Sequence, residues 1–402
     1  MITLSLIETL AVAAVGLILG QWIARWVPLF QRLCLPEPVL GGLVMGGVFG
    51  LLERVLGVNV GFELSLQTPL MIAFFTSIGW LASIQNLKKG GREVIVFLLL
   101  CSAVLVLQNA VGMGLASLLG EAPLLGVLAG SVSLTGGPGT ALAFAPAFEK
   151  AGVVGAGTIG TACALLGIIL GGLLGAPVAA TLVGRLSGSG APENPQATVE
   201  VSSPQDPLER AEGHLVGHLK LFLIVMALGA VLGKWIQDQG ITLPIYIGAM
   251  VIAALVRNVL DARERAGKKQ AFSGEWVDEL GTIALAYFLV IATMTLQFRQ
   301  LQNLAGTLAL ILLVQTVLVM GIARWVVFRF FGRDYDAAVI AGGFVGFMLG
   351  TTANAMANMN SVSARYSARW GHPSRAFVVV PLVGACFIDF VNALVITFLT
   401  RG

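Results

Sequence analysis

Apolar residues dominate this chain in long runs that polar residues interrupt only briefly. A helix that crosses a bilayer needs about 20 mostly apolar residues. The pattern predicts ten such spans, some of them short, and therefore an all-α fold. Their approximate limits are Leu4–Ile23, Val39–Leu56, Pro69–Ile84, Val94–Leu119, Thr158–Val183, Leu219–Trp235, Pro244–Val256, Leu280–Leu296, Gly306–Phe330 and Ala376–Leu399.

Two glycine-rich polar stretches, residues 131–140 and 342–358, interrupt this apolar pattern. Clustered Gly and Pro break a helical hydrogen-bond ladder. A broken backbone is tolerated at membrane depth only where protein or a watery cavity satisfies its polar groups. We therefore predict two re-entrant hairpins, at about 123–148 and 336–361. A matched pair of interrupted segments is typical of the substrate site of a secondary transporter.

The composition supports a membrane protein. Of the 402 residues 57% are hydrophobic and only 11% are charged, with a mean hydropathy of +0.89. An average soluble domain carries about 25% charged residues. The lipid bilayer is thus the expected surrounding, and the small net charge of +3 gives no indication of nucleic-acid binding.

The chain divides into two similar halves around a hydrophilic linker, residues 185–215, which is rich in Ser and Pro. Aligning Gly120 with Gly332 superposes both flanking spans and both glycine-rich stretches without gaps. Residues 1–184 and 216–402 then hold five spans each, so the second half is inverted relative to the first.

The positions of Lys and Arg predict the orientation of this arrangement. With both termini outside, five of the 24 basic residues face outward: Arg54, Lys150, Lys234, Arg299 and Arg401. The inward loops carry the remainder, as expected when positive charge collects in the cytoplasm.

The first hairpin offers backbone groups and hydroxyls for binding. Glycines at 136, 137 and 139 flank Pro138, between the hydroxyls of Thr135 and Thr140. A helix that begins here would direct its N-terminal N–H groups at an anion. Close packing between helices is the alternative explanation for these glycines.

In the second hairpin, Thr351, Asn354 and Asn358 recur at helical spacing after Gly350. Such a polar stripe contacts either a ligand or a neighbouring helix. We expect ligand or cation contact, because the stripe adjoins a broken turn. Arg365, further on, could pair with a substrate carboxylate or could be an ordinary cytoplasmic cation.

Asp389 is the acidic residue that lies well inside a predicted span, with Asn392 three positions later. A carboxylate within the membrane is costly and indicates a functional site. It would meet sodium or a substrate ammonium, or it would pair with a structural cation. The neutral amides of Gln108, Asn109 and Gln315 could equally join helices.

At these positions the chain resembles the glutamate:sodium symporter family over essentially its whole length. The resemblance rests on residues 36–42, 69–75, 108–109, 128–137, 335–339, 350–351, 357–359, 380–384 and 387–396. The family is distantly similar to the sodium-dependent 2-hydroxycarboxylate transporters.

The resemblance implies sodium-coupled uptake of L-glutamate by an elevator-type homodimer in a bacterial inner membrane. Sodium would be the coupling ion, with no further cofactor and no enzymatic activity. The substrate would contact Thr135, Gly136, Gly137, Gly139, Thr140, Gly350, Thr351, Asn354, Arg365 and Asp389. Sodium would contact Ser133, Thr135, Thr352, Asn358, Asp389 and Asn392.

The sequence leaves other functions open. The hairpins depart from the family at Pro138, where His is common, and at 352–354, where Ala-Thr-Pro is common. A carrier of another small anion, such as a dicarboxylate or 2-hydroxycarboxylate, and a carrier driven by protons through Asp389 are the alternatives. A channel is less compatible with paired hairpins, and the chain lacks the HExxH and GxSxG motifs of hydrolytic enzymes.

Overall fold

The computed structural model describes residues 2–32, 35–57, 60–84, 91–186, 212–238, 245–265, 274–296, 304–370 and 374–400. Most of the predicted linker, 187–211, lies outside the described residues.

The first half is built almost entirely of helices. They are α1 (Leu6–Trp26), α2 (Pro28–Arg32), α3 (Glu37–Leu56), α4 (Gln67–Leu81), α5 (Gly91–Leu118), α6 (Pro123–Val127), the π-helical turn π1 (Leu128–Val132), α7 (Gly137–Lys150) and α8 (Ala156–Leu186). Two strands of two residues, β1 (Ile2–Thr3) and β2 (Val60–Gly61), pair in parallel, which the apolar pattern did not predict.

The described part of the second half is also built of helices. They are α9 (Glu212–Asp238), α10 (Ile245–Arg265), α11 (Gly274–Met294), α12 (Ala305–Ile322), π2 (Ala323–Val327), α13 (Phe328–Phe330), α14 (Tyr335–Leu349), α15 (Thr352–Trp370), α16 (Ala376–Leu382), π3 (Val383–Phe387) and α17 (Ile388–Leu399).

Within the described ranges, eight helices are long and apolar enough to cross a membrane, counting α12 with its continuation through α13 as one. The chain is therefore a polytopic α-helical membrane protein. The third and tenth predicted spans form α4, of 15 residues, and the interrupted helix α16–π3–α17. Pro381 lies in α16 and has no N–H to donate, which accounts for a disturbed ladder there.

The end of α4 is fixed by the side chain of Asn258 in α10. Its Nδ2 donates to the carbonyl of Ala82 at 2.9 Å, and its Oδ1 accepts from the N–H of Ile84 at 2.9 Å. The nearby hydroxyl of Ser83 donates to Asp261. A side chain of the second half thus satisfies backbone groups that the short α4 leaves unpaired.

The helices pack in two groups, each of which draws on both halves of the chain. Group A consists of α1, α3, α4, α9, α10 and α11. Group B consists of α5, α6–π1, α7, α8, α12–π2, α14, α15 and α16–π3–α17. Between the groups, α7 contacts α11 and π3 contacts α4.

Aromatic side chains fill part of this seam. The ring of Tyr246 in α10 stacks on Phe75 of α4, with centroids 4.4 Å apart, and meets Phe144 of α7 edge-on at 5.5 Å. The second arm of the first hairpin therefore packs directly against group A.

Candidate functional site

The first hairpin is a helical arm (α6–π1), a turn at residues 135–136, and a second arm, α7. Gly130 in π1 has non-helical backbone angles, φ −95° and ψ −125°. Gly137 has φ +69°, which favours glycine because it lacks a Cβ. Pro138 stands in the first turn of α7, where its missing N–H costs nothing. A helix thus begins within the glycine-rich motif, as the sequence predicts.

The start of α7 carries no side-chain cap. The first N–H groups of a helix have no intrahelical partner. Those of Gly137 and Gly139 are therefore free of bonds within α7, and they belong to the positive end of the helix dipole.

The second hairpin breaks at Gly350 and Thr351, between α14 and α15. Gly350 leaves the helix with φ −146° and ψ −113°. The hydroxyl oxygen of Thr351 accepts weakly from the N–H of Asn354 at 3.4 Å and so caps the start of α15.

Glycines in α8 allow the second hairpin to approach this helix closely. A Cβ on Gly167 would lie 2.4 Å from the carbonyl oxygen of Leu349. On Gly171 it would lie 3.4 Å from the backbone nitrogen of Gly350. No larger side chain fits at Gly167 without displacing the hairpin backbone.

The tips of the two hairpins meet. A Cβ built on Gly137 would lie 3.6 Å from Cγ2 of Thr351. The N-termini of α7 and α15 are therefore close together, although more than half the length of the chain separates them in sequence.

Asn392 of α17 holds the first hairpin. Its Oδ1 accepts from the hydroxyl of Ser131 at 2.8 Å, and its Nδ2 donates to the carbonyl of Ser131 at 3.0 Å. The N–H of Ser131 donates to Oδ1 of Asn109 in α5 at 3.2 Å. These bonds satisfy the backbone of π1 where its helical ladder is disturbed.

Gln108 of α5 contacts both hairpins. Its Oε1 accepts from the hydroxyl of Thr135 at 3.0 Å, and its Nε2 donates to the carbonyl of Met348 at 3.1 Å. The sequence placed Gln108 among three amides within the predicted spans and in a motif that resembles the family, but it gave Gln108 no role at the tips. Its position between the tips is the feature that sequence reasoning missed.

Asn354 and Asn358 face α8. Their Nδ2 groups donate to the carbonyls of Ile168 and Gly171, each at 2.9 Å. Both side chains are buried. The polar stripe therefore joins helices, which is the alternative that the sequence left open.

The other predicted hydroxyl residues surround the tips. Ser133 donates to the carbonyl of Leu128 in its own hairpin. Thr140 is buried beside Gly136, whose Cβ would lie 2.6 Å from its own. The hydroxyl oxygen of Thr352 would lie 2.6 Å from a Cβ on Gly384 in π3.

Asp389 is partly buried in the first turn of α17, one turn before Asn392. Within the part of the chain that the structure describes, its carboxylate has no hydrogen bond or ion pair. A cation is the natural partner for such a group.

Arg365 lies away from the tips. It is exposed, and its guanidinium carbon lies 5.5 Å from the ring centroid of Tyr366. The unbroken helix α15 places it 14 residues after Thr351, or about 20 Å along the axis at ~1.5 Å per residue. The structure therefore does not bring Arg365 together with the other predicted site residues.

Arg375 ties the base of the second hairpin to α5. Its Nε donates to Asp336 at 2.7 Å, and its other nitrogens contact Asp334 at 3.4 Å and Glu93. The charge cluster joins the beginnings of α5, α14 and α16, so the hairpin is anchored at its base and broken at its tip.

A cavity of about 520 Å³ opens in the seam between groups A and B. It lies at the end of the first hairpin that is far from the tip. Its lining includes Gln67, Leu142, Glu149, Thr158, Phe288 and Thr295.

Comparisons with known proteins show the family of this chain. The sequence profile of the sodium/glutamate symporter family matches residues 2–368. The chain is 38% identical over 398 residues to the sodium/glutamate symporters of Escherichia coli K12 and Shigella flexneri, covering 98% of this chain and 97% of each relative. It is 34% identical to that of Haemophilus influenzae over 395 residues, covering 97% of this chain and 96% of the relative. The chain therefore belongs to the sodium/glutamate symporter family.

Proposed function

We propose that the two hairpin tips form the site at which this symporter binds glutamate and sodium. The chain couples the movement of sodium to the uptake of glutamate, with sodium as the coupling ion and no organic cofactor. The observation that carries the proposed site is the meeting of two helix N-termini, where a Cβ built on Gly137 would lie 3.6 Å from Cγ2 of Thr351.

The two carboxylates of glutamate are assigned to these helix N-termini. N–H groups of Gly137 and Gly139 would receive one, and those at the start of α15 near Gly350 and Thr351 the other. Aligned peptide dipoles stabilise an anion at such an end. Arg365 takes no part in this arrangement, since it lies about 20 Å away along α15.

Sodium is assigned to oxygen atoms around Asp389. Broken helices in transporters supply carbonyl oxygens to the coupling ion. Here the carboxylate of Asp389 would add a full negative charge, and the oxygens of Thr135, Ser133 and Thr352 would add neutral ligands. Asn358 and Asn392 would act mainly by holding the hairpins, given the bonds that they already make.

Transport would proceed by displacement of group B, which carries both hairpins, against group A. The division of the helices supports this proposal, because each group takes equivalent helices from both halves. Ten spans in two inverted repeats, 1–184 and 216–402, would account for that division. Each ligand must bind one state better than the other for its movement to be coupled.

The same proposal places a homodimer in the bacterial inner membrane with both termini outside. The inward position of most basic residues supports that orientation. Labelling of single cysteines at the two ends by an impermeant reagent in intact cells tests it. Protection of both ends would reverse the orientation.

Uptake of L-[³H]glutamate into proteoliposomes tests the function directly. We expect accumulation with an inward sodium gradient and none when potassium replaces sodium. Uptake that a pH gradient alone drives would instead assign proton coupling through Asp389. Complete inhibition by a dicarboxylate or 2-hydroxycarboxylate at lower concentration than glutamate would assign a different substrate.

A pair of variants tests whether Asp389 takes part in sodium binding. Asp389→Asn removes the charge at constant size, and we expect it to abolish sodium-driven uptake while the protein still folds. Asp389→Glu keeps the charge and should retain part of the activity. Equal activity of wild type and Asp389→Asn would remove this residue from the sodium site.

A further inference from the structure

The side chain of Gln108 lies between the two hairpin tips and is completely buried. It bonds the first hairpin through Thr135 and the second through the carbonyl of Met348, two residues before Gly350. One buried side chain therefore connects the two tips through hydrogen bonds.

These two bonds determine which groups donate and which accept between Thr135, Gln108 and Met348. A backbone carbonyl only accepts, so the NH₂ end of the Gln108 amide must face Met348. Its Oε1 then faces Thr135, whose hydroxyl has a single proton and must donate it to Gln108. The oxygen of Thr135 therefore presents only lone pairs to other groups. This conclusion rests on the carbonyl of Met348, not on an assumed orientation of the amide.

The second tip uses the same arrangement with different residues. The carbonyl of Ile168 accepts from Nδ2 of Asn354 at 2.9 Å, so Oδ1 of Asn354 faces Thr351. The hydroxyl of Thr351 donates to that oxygen at 2.8 Å. Thr351 thus also presents lone pairs, one of which receives the weak bond from the N–H of Asn354.

An oxygen that can only accept does not stabilise a carboxylate, which has no proton to give. It suits a cation or an N–H donor. At this site the available partners of that kind are sodium and the ammonium group of glutamate. The carboxylates of glutamate are left to the backbone N–H groups of the helix N-termini.

We infer that Gln108 is a positioning residue that holds the Thr135 hydroxyl as an acceptor for a cationic group and couples that orientation to the second hairpin through Met348. The inference rests on the proposed function, since it takes the hairpin tips as the binding site. Gln108 itself need not touch either ligand.

Gln315 provides a matched control. Its Nε2 donates to the backbone carbonyl of Gln108 at 2.6 Å, and it is equally buried. It makes no bond to either tip among the contacts that the structure describes. Gln108→Met and Gln315→Met therefore remove the same chemical groups in the same neighbourhood while keeping an unbranched side chain of similar length.

The test measures the half-saturating sodium concentration, the glutamate KM and the maximal rate of uptake in proteoliposomes. The variants are Gln108→Met, Thr135→Val, the double variant and Gln315→Met. Hydrogen bonds to charged groups contribute about 1.5–3 kcal/mol, so loss of the oriented acceptor should weaken binding of its cation by roughly tenfold to a hundredfold. Gln315→Met should stay within about twofold of wild type, because Gln315 bonds the backbone of Gln108 and leaves the bonds of the Gln108 side chain to Thr135 and Met348 in place.

Glutarate, which lacks the ammonium group, distinguishes the two cations. If the oxygen of Thr135 meets sodium, the half-saturating sodium concentration rises and the preference for glutamate over glutarate is unchanged. If it meets the ammonium group, the glutamate KM rises while inhibition by glutarate is unchanged. Either result supports the inference, provided that the double variant is no worse than Thr135→Val alone.

Several results would overturn it. Additive losses in the double variant would show that Gln108 and Thr135 act separately. A lower maximal rate or lower thermal stability with unchanged affinities would leave Gln108 a structural residue. Thr135→Val with wild-type affinities would overturn the proposed site and the inference together, whereas effects of Thr135→Val without effects of Gln108→Met would overturn the inference alone.

Discussion

The amide side chains around the hairpins make most of their hydrogen bonds to other parts of the protein. Asn354 and Asn358 give their amide protons to α8, and Asn392 uses both ends of its amide on Ser131. A broken backbone within the membrane leaves carbonyl and N–H groups that must find partners. These side chains supply them, which explains why amides cluster where the helices break.

Arg365 gives a prediction at the scale of a single residue. Arg365→Ala should change the glutamate KM by less than about twofold, because the residue is exposed and distant from the tips. The measurement is the concentration dependence of sodium-driven uptake. Arg369 lies four residues later on the same helix and belongs to the same basic segment, so Arg369→Ala is the matched comparison.

A large increase in KM for Arg365→Ala alone would contradict this expectation. It would show that α15 brings its far end to the substrate in another state of the transport cycle. Such a result would support the other interpretation of the sequence, in which Arg365 pairs with a substrate carboxylate.

The sequence located the residues of the tips more securely than their roles. The Gly-Gly-Pro-Gly run at 136–139 can hardly be anything other than a break, because Gly137 needs a positive φ and Pro138 lacks an N–H. Gln108 was harder to assign. A buried glutamine in an apolar helix has the same local pattern whether it joins two helices or orients a distant hydroxyl, and only the fold brings Thr135 and Met348 to it.

At the scale of elements, the first hairpin approaches α5 through a pair of glycines. A Cβ on Gly126 would lie 1.9 Å from the carbonyl oxygen of Gly112, and a Cβ on Gly112 would lie 2.2 Å from that of Gly126. Small residues allow membrane helices to approach this closely. The contact sets how far the first arm of the hairpin lies from the helix that carries Gln108.

Gly112→Ala should therefore destabilise the protein by about 1–3 kcal/mol, as other overpacked interiors do. Thermal unfolding in detergent measures the change. Gly114, two residues along the same helix, has nothing within 4 Å of its Cβ position, so Gly114→Ala is the control. We expect it to unfold at the wild-type temperature or slightly above. Equal midpoints for both variants would mean that the hairpin shifts away from α5 without cost.

Helix interruptions outside the hairpins were largely invisible to the apolar pattern. The π-helical turns at Ala323–Val327 and Val383–Phe387 lie within runs that read as uninterrupted spans. Pro381 was a local sign for the second, whereas residues 323–327 contain neither Gly nor Pro. A π-helical turn needs only one extra residue in the helical hydrogen-bond ladder, and that change leaves the pattern of apolar residues the same.

At the scale of the whole molecule, the helices are divided differently along the chain and in space. The sequence divides at the linker, whereas packing divides α1, α3, α4 and their counterparts from the helices that carry the hairpins. Similarity between the halves predicted the repeat, but the exchange of helices between groups depends on long-range contacts that no local pattern encodes.

Movement between the groups is tested by cross-links that share one anchor at Gly157 of α8. A Cβ there would lie 3.6 Å from Cβ of Ala145, in group B, and 3.8 Å from Cδ2 of Leu296, beside group A. The first distance suits a disulfide, whose Cβ atoms lie about 3.8 Å apart. The second pair can be joined by a short bifunctional thiol reagent. Both pairs are introduced after Cys34, Cys101, Cys163 and Cys386 are replaced with Ala.

If group B moves against group A, the cross-link between residues 157 and 296 must stop uptake, because it spans the seam. The cross-link between 157 and 145 joins two elements of the same group and should leave uptake intact. Reductive or chemical release of the cross-link between residues 157 and 296 should restore transport. Such recovery would show that the cross-link, and not the substitutions, caused the loss of uptake. Full uptake with the seam cross-linked would instead require that substrate passes while both groups stay fixed, with the hairpin tips opening in place.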